Sequence, residues 1–263
     1  IIRSCQLMTM TDTNFSTDFA EDNSFDDNLF QLGTSDTENG YLENDQALKY
    51  FKKKQSDWNK ILMGVAGAIT LGMAGMPLVA LFGGLGTALS IELSIPIDRI
   101  VKTMEILLNE FEKEGITIIP RVKGDDGTID LFIKTADQRY FALMLRSNGD
   151  SRIKWRKDRQ QFFTIGKGRN SEWGKLELLG DELNRIVLNF KKQKNPLVGF
   201  SKVERNRAFT KAIVLTGKTR IDLNNDPELV VPFGRTTALR ITTKSTYYLV
   251  DLANLANFLR KPI

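Results

Sequence analysis

The sequence predicts an α/β protein, because segments with the alternating pattern of strands are mixed with segments that have the apolar periodicity of helices. Strand-like runs occupy Thr128 to Thr135 and Tyr140 to Arg146, and helical runs occupy Asp98 to Glu114 and Glu177 to Lys192. The chain has 263 residues, which is enough to bury a substantial core. We therefore expect a sheet flanked by helices.

The composition excludes several kinds of site. The chain contains one cysteine, Cys5, and no histidine, so an intrachain disulfide, a Cys/His zinc site and a histidine-dependent triad are all excluded. The net charge of +5 is unevenly distributed, since residues 1–46 hold ten acids and one base whereas residues 121–210 hold twenty bases and eleven acids. This asymmetry indicates an acidic tail and a domain that faces a polyanion.

The first segment, residues 1–45, is predicted to be a disordered acidic tail, because it is polar and lacks apolar periodicity. A solubilising role is the simplest interpretation. Two alternatives stay open: the acids could cover the basic domain, or Phe25 to Leu32 could dock a partner.

The second segment, residues 46–97, combines a basic helix with an apolar run. Residues 61–91 include 31 positions without a charge, more than the roughly 20 that a membrane helix needs. Pro77 divides this run into two shorter halves, so we expect a helical hairpin that turns near Pro77. Small residues recur at every fourth position in each half, at Gly64, Ala68 and Gly72 and again at Ala80, Gly84 and Ala88.

The hairpin is expected to insert into a membrane from its cytoplasmic face, because Trp58 and Lys60 flank its entry as interfacial anchors do. A hairpin also returns the chain to its own side, which keeps the basic domain in the cytoplasm. The alternative is a hairpin buried in a protein core or in an interface between copies of the chain.

The third segment, residues 98–263, is predicted to form the α/β domain. Its first helix is capped by Asp98 and ended by Gly115, and a strand at Ile116 to Ile119 leads to a turn at Asp125-Asp126-Gly127. Later strands are expected at Ala212 to Thr216, Glu228 to Val231 and Tyr247 to Val250, before a final helix from Asp251 to Arg260 that Asp251 caps.

Residues 128–146 read as a β-hairpin that holds the candidate active site. Its two strands place Asp130 across from Met144 and Arg146. Alternation along the first strand puts Thr128, Asp130, Phe132 and Lys134 on one face.

These segments resemble the nuclease-related domain, a branch of the PD-(D/E)xK restriction-endonuclease-like superfamily. The resemblance rests on the helix near Asp98 to Glu114, Gly127-Thr128-Ile129-Asp130, Met144-Leu145-Arg146, Lys211 to Thr216 and Asn257-Phe258-Leu259. It covers roughly residues 98–263 and is carried by order and spacing. It implies a restriction-endonuclease-like mixed sheet flanked by helices.

The resemblance also implies a metal-dependent nuclease site, from which this chain departs at two positions. In the family, Asp and Glu carboxylates bind a divalent cation such as Mg²⁺, and a Lys orients or activates the attacking water. Met144 stands at the position of the Glu, and a thioether is a poor ligand for a hard cation. Arg146 stands at the position of the Lys, and a guanidinium that keeps its proton cannot act as a base.

The resemblance therefore leaves Asp130 and Arg146 as the candidate catalytic residues and Asp130 as the candidate metal ligand. Glu105, Glu110 and Asp126 are candidates to supply a second carboxylate; alternatively, the two glutamates lie on a solvated helix face and Asp126 belongs to the turn. Mg²⁺ is the expected cofactor if the site is active, and otherwise none is expected.

A basic stretch, residues 151–170, is the candidate nucleic-acid-binding surface. Its cations are Arg152, Lys154, Arg156, Lys157, Arg159, Lys167 and Arg169, interleaved with Trp155, Phe162 and Phe163. Cations that contact phosphates beside aromatics that stack on bases or anchor the segment favour nucleic acid as the partner. The alternative is a solvated basic face above buried aromatics.

Three hypotheses follow. The first is a membrane-associated cytoplasmic protein that binds nucleic acid, DNA in preference to RNA, with cleavage impaired or lost. The second is an active nuclease that uses Asp130 with a migrated carboxylate. The third is a structural module in which the small-residue hairpin mediates assembly with a second copy of the chain.

Overall fold

The computed structural model describes residues 42–73, 96–124, 127–156, 161–166, 171–172, 174–192, 207–222, 227–233 and 236–261. The predicted acidic tail up to residue 41 lies outside the described residues. So do Pro77 and the second arm of the predicted apolar hairpin.

Four helices are described: α1 (Asn44–Met73), α2 (residues 96–110), α3 (Gly174–Lys192) and α4 (Leu255–Arg260). The main sheet contains β1 (Ile116–Gly124), β2 (Gly127–Thr135), β3 (Tyr140–Arg146), β7 (Phe209–Leu215), β9 (Val230–Phe233), β10 (Thr236–Thr242) and β11 (Thr246–Asp251). A small sheet contains β4 (Ser151–Arg156), β5 (Gln161–Gly166), β6 (Ser171–Glu172) and β8 (Arg220–Ile221). Short 3₁₀ turns lie at Pro227–Leu229 and Leu252–Asn254.

The main sheet is mixed, with the strand order β1-β2-β3-β7-β11-β10-β9. Its outer strands are antiparallel, whereas β3, β7 and β11 run parallel to one another in the centre. The predicted α/β class with a mixed sheet is confirmed. The strands β4, β5, β6, β8 and β10 were not predicted from the sequence.

Two hydrophobic cores lie on opposite faces of the main sheet, as alternation along β3 shows: Tyr140 and Ala142 join one core, and Phe141 and Leu143 join the other. The α3 core lies between the sheet, α3 and the small sheet. The α2 core is covered by α1, α2 and α4. The predicted inward residues of α3 are all buried, namely Leu179, Leu183, Ile186, Val187 and Phe190.

Helix α1 is continuous from the core into the apolar run. It begins at Asn44, within the predicted tail, and Ala47 and Phe51 are buried in the α2 core. The predicted basic helix and the first part of the apolar run therefore form one helix that reaches Met73. Within the described residues, no helix has a stretch long and apolar enough to span a membrane.

Helices α1 and α2 are antiparallel neighbours. Lys52 forms an ion pair of 2.8 Å with Glu105, and Gln55 donates a hydrogen bond of 2.8 Å to Asp98. Asp98 was predicted to cap α2, but it lies inside the helix and also pairs with Lys102. The predicted helix stop at Gly115 is confirmed, since its φ of 78° is left-handed and its N–H reaches Phe111.

Both edges of the main sheet are partly covered by side chains. On β1, the Asn44 amide donates to the carbonyl of Ile116 and accepts from the N–H of Ile118, both at 2.7 Å. On β9, the Lys261 ammonium donates to the carbonyl of Pro232 at 2.9 Å. These contacts occupy backbone groups that would otherwise face solvent.

Candidate functional site

Asp130 lies where two neighbouring strands separate. The ladder between β2 and β3 runs from the pair Lys134 and Tyr140 to the pair Leu131 and Leu143, while β3 continues beside β7 as far as Arg146. Beyond Leu131 the carboxylate of Asp130 bridges the gap, because its Oδ2 accepts the N–H of Leu145 at 2.7 Å. We call this point the strand fork.

The alternation predicted for β2 is interrupted at the strand fork. Phe132 and Ile129 both join the α3 core, although Leu131 between them joins the α2 core. The change of face coincides with Arg121 on β1, whose φ of 54° is left-handed and costs an ordinary residue about 1 to 2 kcal/mol. The first residue of β2 consequently lies over α3, where Gly127 is packed against Ile186.

The Asp130 carboxylate is held by two arginines. Arg146 Nη1 lies 2.9 Å from Oδ2, and Arg121 Nη1 lies 3.6 Å from Oδ1. The side chains are 12% exposed for Asp130, 26% for Arg146 and 18% for Arg121, so the group is largely shielded from water. A shielded carboxylate with a backbone donor and two cations forms a charge-assisted network with fixed geometry.

This arrangement disfavours a divalent cation at Asp130. Two guanidinium groups occupy the space around the carboxylate and repel positive charge. Met144, which stands where the resemblance implies a Glu, places its sulfur 3.8 Å from Nη2 of Arg146. Among the described residues, no group of three or more acids, cysteines or histidines could hold a metal ion.

The candidate second carboxylates lie elsewhere or are not described. Glu105 pairs with Lys52 on the face that α1 covers, and Glu110 pairs with Arg260 of α4 at 3.4 Å. Both glutamates therefore have partners on the side of the α2 core. Asp126 lies outside the described residues.

In the small sheet, the side chains of the predicted basic stretch alternate between the inner and the outer face. Along β4, Ser151, Ile153 and Trp155 are buried, whereas the alternate residues Arg152, Lys154 and Arg156 lie on the outer face. In the described part of the chain, no acid pairs with Arg152 or Lys154. Alternation alone thus places three cations in a row.

The aromatic residues of the stretch have two different roles. Trp155 and Phe162 are buried in the α3 core, with ring centroids 4.7 Å apart. Phe163 lies on the outer face, opposite Lys154, and its ring centroid is 5.1 Å from the guanidinium carbon of Arg156. Of the predicted binding cations, Lys157, Arg159, Lys167 and Arg169 lie outside the described residues.

Hydrogen bonds fasten the small sheet to the carboxyl ends of the central parallel strands. The buried Thr219 hydroxyl accepts the N–H of Asn148 at 2.7 Å and donates to the carbonyl of Gly149 at 3.0 Å. Asp251, at the end of β11, accepts the N–H of Ile221 at 2.9 Å. Asp251 therefore does not cap the final helix as predicted, and burial raises the pKa of its carboxyl above the ordinary value.

Sequence reasoning missed two cations near these sites. Arg121 lies opposite Asp130, and the predicted turn could have revealed it, because pairing Gly124 with Gly127 fixes that register. Arg220 lies beside Arg152 in the parallel pairing of β8 with β4. No local signal identifies Arg220, since its strand has only two residues.

The fold and site define an α/β protein with a mixed seven-stranded sheet, an ion-paired aspartate and a cationic small sheet. Comparison of the chain with protein-family models, with curated proteins and with solved structures finds no match. The resemblance to the nuclease-related domain stays a prediction.

Proposed function

We propose that this protein binds nucleic acid through the outer face of the small sheet and has lost the ability to cleave it. The row of Arg152, Lys154 and Arg156 on β4 supports the binding. The engagement of Asp130 by Arg146, Arg121 and a backbone N–H supports the loss of cleavage. The same observations fit a degenerate nuclease-related domain with a restriction-endonuclease-like sheet.

Binding is tested by fluorescence anisotropy over a range of salt. If the three β4 cations each neutralise one phosphate, log affinity for duplex DNA falls by about 2.7 per log unit of salt, and cations outside the described residues steepen the slope. Reversing Arg152 and Lys154 to Glu should reduce both the affinity and the slope.

The matched control reverses Lys113 and Lys192 to Glu, two exposed cations in the turn after α2 and at the end of α3. It changes the net charge equally and should retain most of the affinity. Equal losses in both variants would mean that binding reflects net charge and is not located on the small sheet. Absence of binding by the wild type would refute the proposed function.

Cleavage is tested with Mg²⁺ or Mn²⁺ and labelled DNA. The wild type should cleave little, because Asp130 is committed to its arginines. The double variant Met144→Glu with Arg146→Lys restores the residues that the resemblance implies and should raise cleavage, which Asp130→Ala should then remove. Strong wild-type cleavage that Asp130→Ala abolishes would instead support the active-nuclease hypothesis.

We also propose that residues 61–91 attach the protein to the cytoplasmic face of a membrane as a hairpin. The antiparallel pairing of α1 with α2 supports this. The helix that leads into residues 61–91 lies beside the helix that follows them, so both ends of the segment are on the same side of the domain. Replacing residues 62–93 by a short Gly/Ser linker keeps Ala47 and Phe51 in the core. The full chain should sediment with membranes and the linker variant should not; a full chain that stays in solution as a monomer without detergent would refute the attachment.

A further inference from the structure

The outer face of the small sheet combines cations with an aromatic ring that is only partly buried. Phe163 is half-buried on this face, directly opposite Lys154 in the pairing of β4 with β5. The guanidinium of Arg156 lies over its ring, and Ile165 on the same strand is 36% exposed. The ring and the guanidinium together provide flat surface between charged groups.

A flat aromatic surface distinguishes single strands from a duplex. In a duplex the bases stack on each other, and a side chain reaches their faces only by prying base steps apart. In a single strand the bases are free to stack on an aromatic ring or on an arginine plane. Phe163 and Arg156 provide such a stacking surface for the bases of a single strand, and the neighbouring cations can contact its phosphates.

The width of the small sheet leads to the same conclusion. Its four strands, in the order β6-β5-β4-β8, span three spacings of about 4.8 Å, or roughly 14 Å between the outer strand axes. The major groove of B-DNA is about 12 Å wide and admits a helix or a two-stranded ribbon. A face four strands wide is therefore too broad to enter that groove, whereas an extended single strand of nucleic acid can lie across the face.

We infer that the outer face of the small sheet binds single-stranded nucleic acid in preference to a duplex, with Phe163 and Arg156 stacking on bases and Arg152 and Lys154 contacting phosphates. This inference rests on the proposed function, since it assumes that this face contacts nucleic acid. It adds the substrate class and assigns a stacking role to Phe163.

The test compares labelled 20-nucleotide single strands, of DNA and of RNA, with a DNA duplex of the same sequence, all bound to the full chain at one salt concentration. Whichever of the two single strands, DNA or RNA, binds with the higher affinity should bind between about fivefold and 150-fold more tightly than the duplex. This is the range that stacking of one base provides. Phe163→Leu should remove this advantage, and Phe163→Tyr should keep it.

Duplex binding by the variants serves as the control for folding. Ile165→Ala on the same strand should leave both affinities unchanged, and Phe163→Leu should lower the affinity for the single strand by a larger factor than the affinity for the duplex. Equal wild-type affinities for single strands and duplex, or an unaltered single-strand preference in Phe163→Leu, would overturn this inference while leaving nucleic-acid binding intact. If neither form binds, the proposed function itself fails.

Discussion

Replacing Asp130 by Ala should destabilise the fold, because the carboxylate holds the strand fork together. The substitution leaves Arg146 and Arg121 without their shared acceptor and leaves the N–H of Leu145 unpaired. Removing one partner of a shielded ion pair typically costs 3 to 5 kcal/mol, and the partial exposure of Arg146 favours the lower end, about 3 kcal/mol. Asp130→Asn should cost less, since its carbonyl oxygen can still accept from Leu145.

Urea denaturation at neutral pH measures this cost, and thermal melting gives a second measure. A loss of about 3 kcal/mol corresponds to a melting temperature roughly 6 to 12 °C lower for a domain of this size. Adding Arg146→Met to Asp130→Ala should recover part of the loss, because it removes a shielded cation that has lost its carboxylate and keeps the uncharged carbonyl of Leu145 as an acceptor. The two changes should therefore be strongly non-additive.

The same assay separates an ion pair from a metal site. A site with a dissociation constant of about 1 mM would stabilise the protein by about 1.4 kcal/mol in 10 mM Mg²⁺. We expect no such gain for the wild type. A cost below about 1 kcal/mol for Asp130→Ala, together with stabilisation by Mg²⁺, would refute the ion-pair account.

Three further substitutions test how the elements are joined. Gly180→Ala in α3 should cost about 2 kcal/mol despite the higher helix propensity of Ala, because its Cβ would overlap the buried ring of Tyr247; a stability equal to the wild type would contradict this packing. Asn44→Ala should cost about 1 to 3 kcal/mol in urea denaturation, since both edge hydrogen bonds are lost, and an unchanged midpoint would show that water replaces them. Asp251→Asn tests the raised pKa of Asp251. Because the folded state holds this proton more tightly than the unfolded state, the free energy of unfolding of the wild type falls as pH rises above 3.8. Asn keeps the acceptor for Ile221, so the variant should gain stability relative to the wild type from about pH 4 upwards, and a difference independent of pH would contradict the shift.

The central hairpin was predictable because its signals are local. Alternation and a polar turn defined the strands that became β2 and β3 to within one residue. The buried face of α3 was equally clear from its apolar spacing. The interruption at Asp130 was not predictable, because it depends on the backbone of Arg121 in another strand.

The small sheet shows a different kind of omission. Residues 151–156 alternate between inward and outward side chains, so the signal for β4 was present in the sequence. The stretch was interpreted from its charges as a nucleic-acid-binding surface, and no strand was predicted there. The partner of Asp251 was beyond local reasoning, since Ile221 is 30 residues away. An acidic residue before a helix caps it only when its side chain is not already accepting a hydrogen bond from another donor.

The coverage of the sheet edges restricts how this protein can associate. Strand addition, in which another chain extends a sheet, needs a row of free backbone donors and acceptors. On β1, Asn44 occupies Ile116 and Ile118, and Pro120, two residues further along the same side, has no N–H to offer. On the opposite edge, Pro232 likewise lacks a donor and its carbonyl is taken by Lys261. The main sheet is therefore a poor template for a partner's strand, and assembly with itself or with a peptide should use other surfaces.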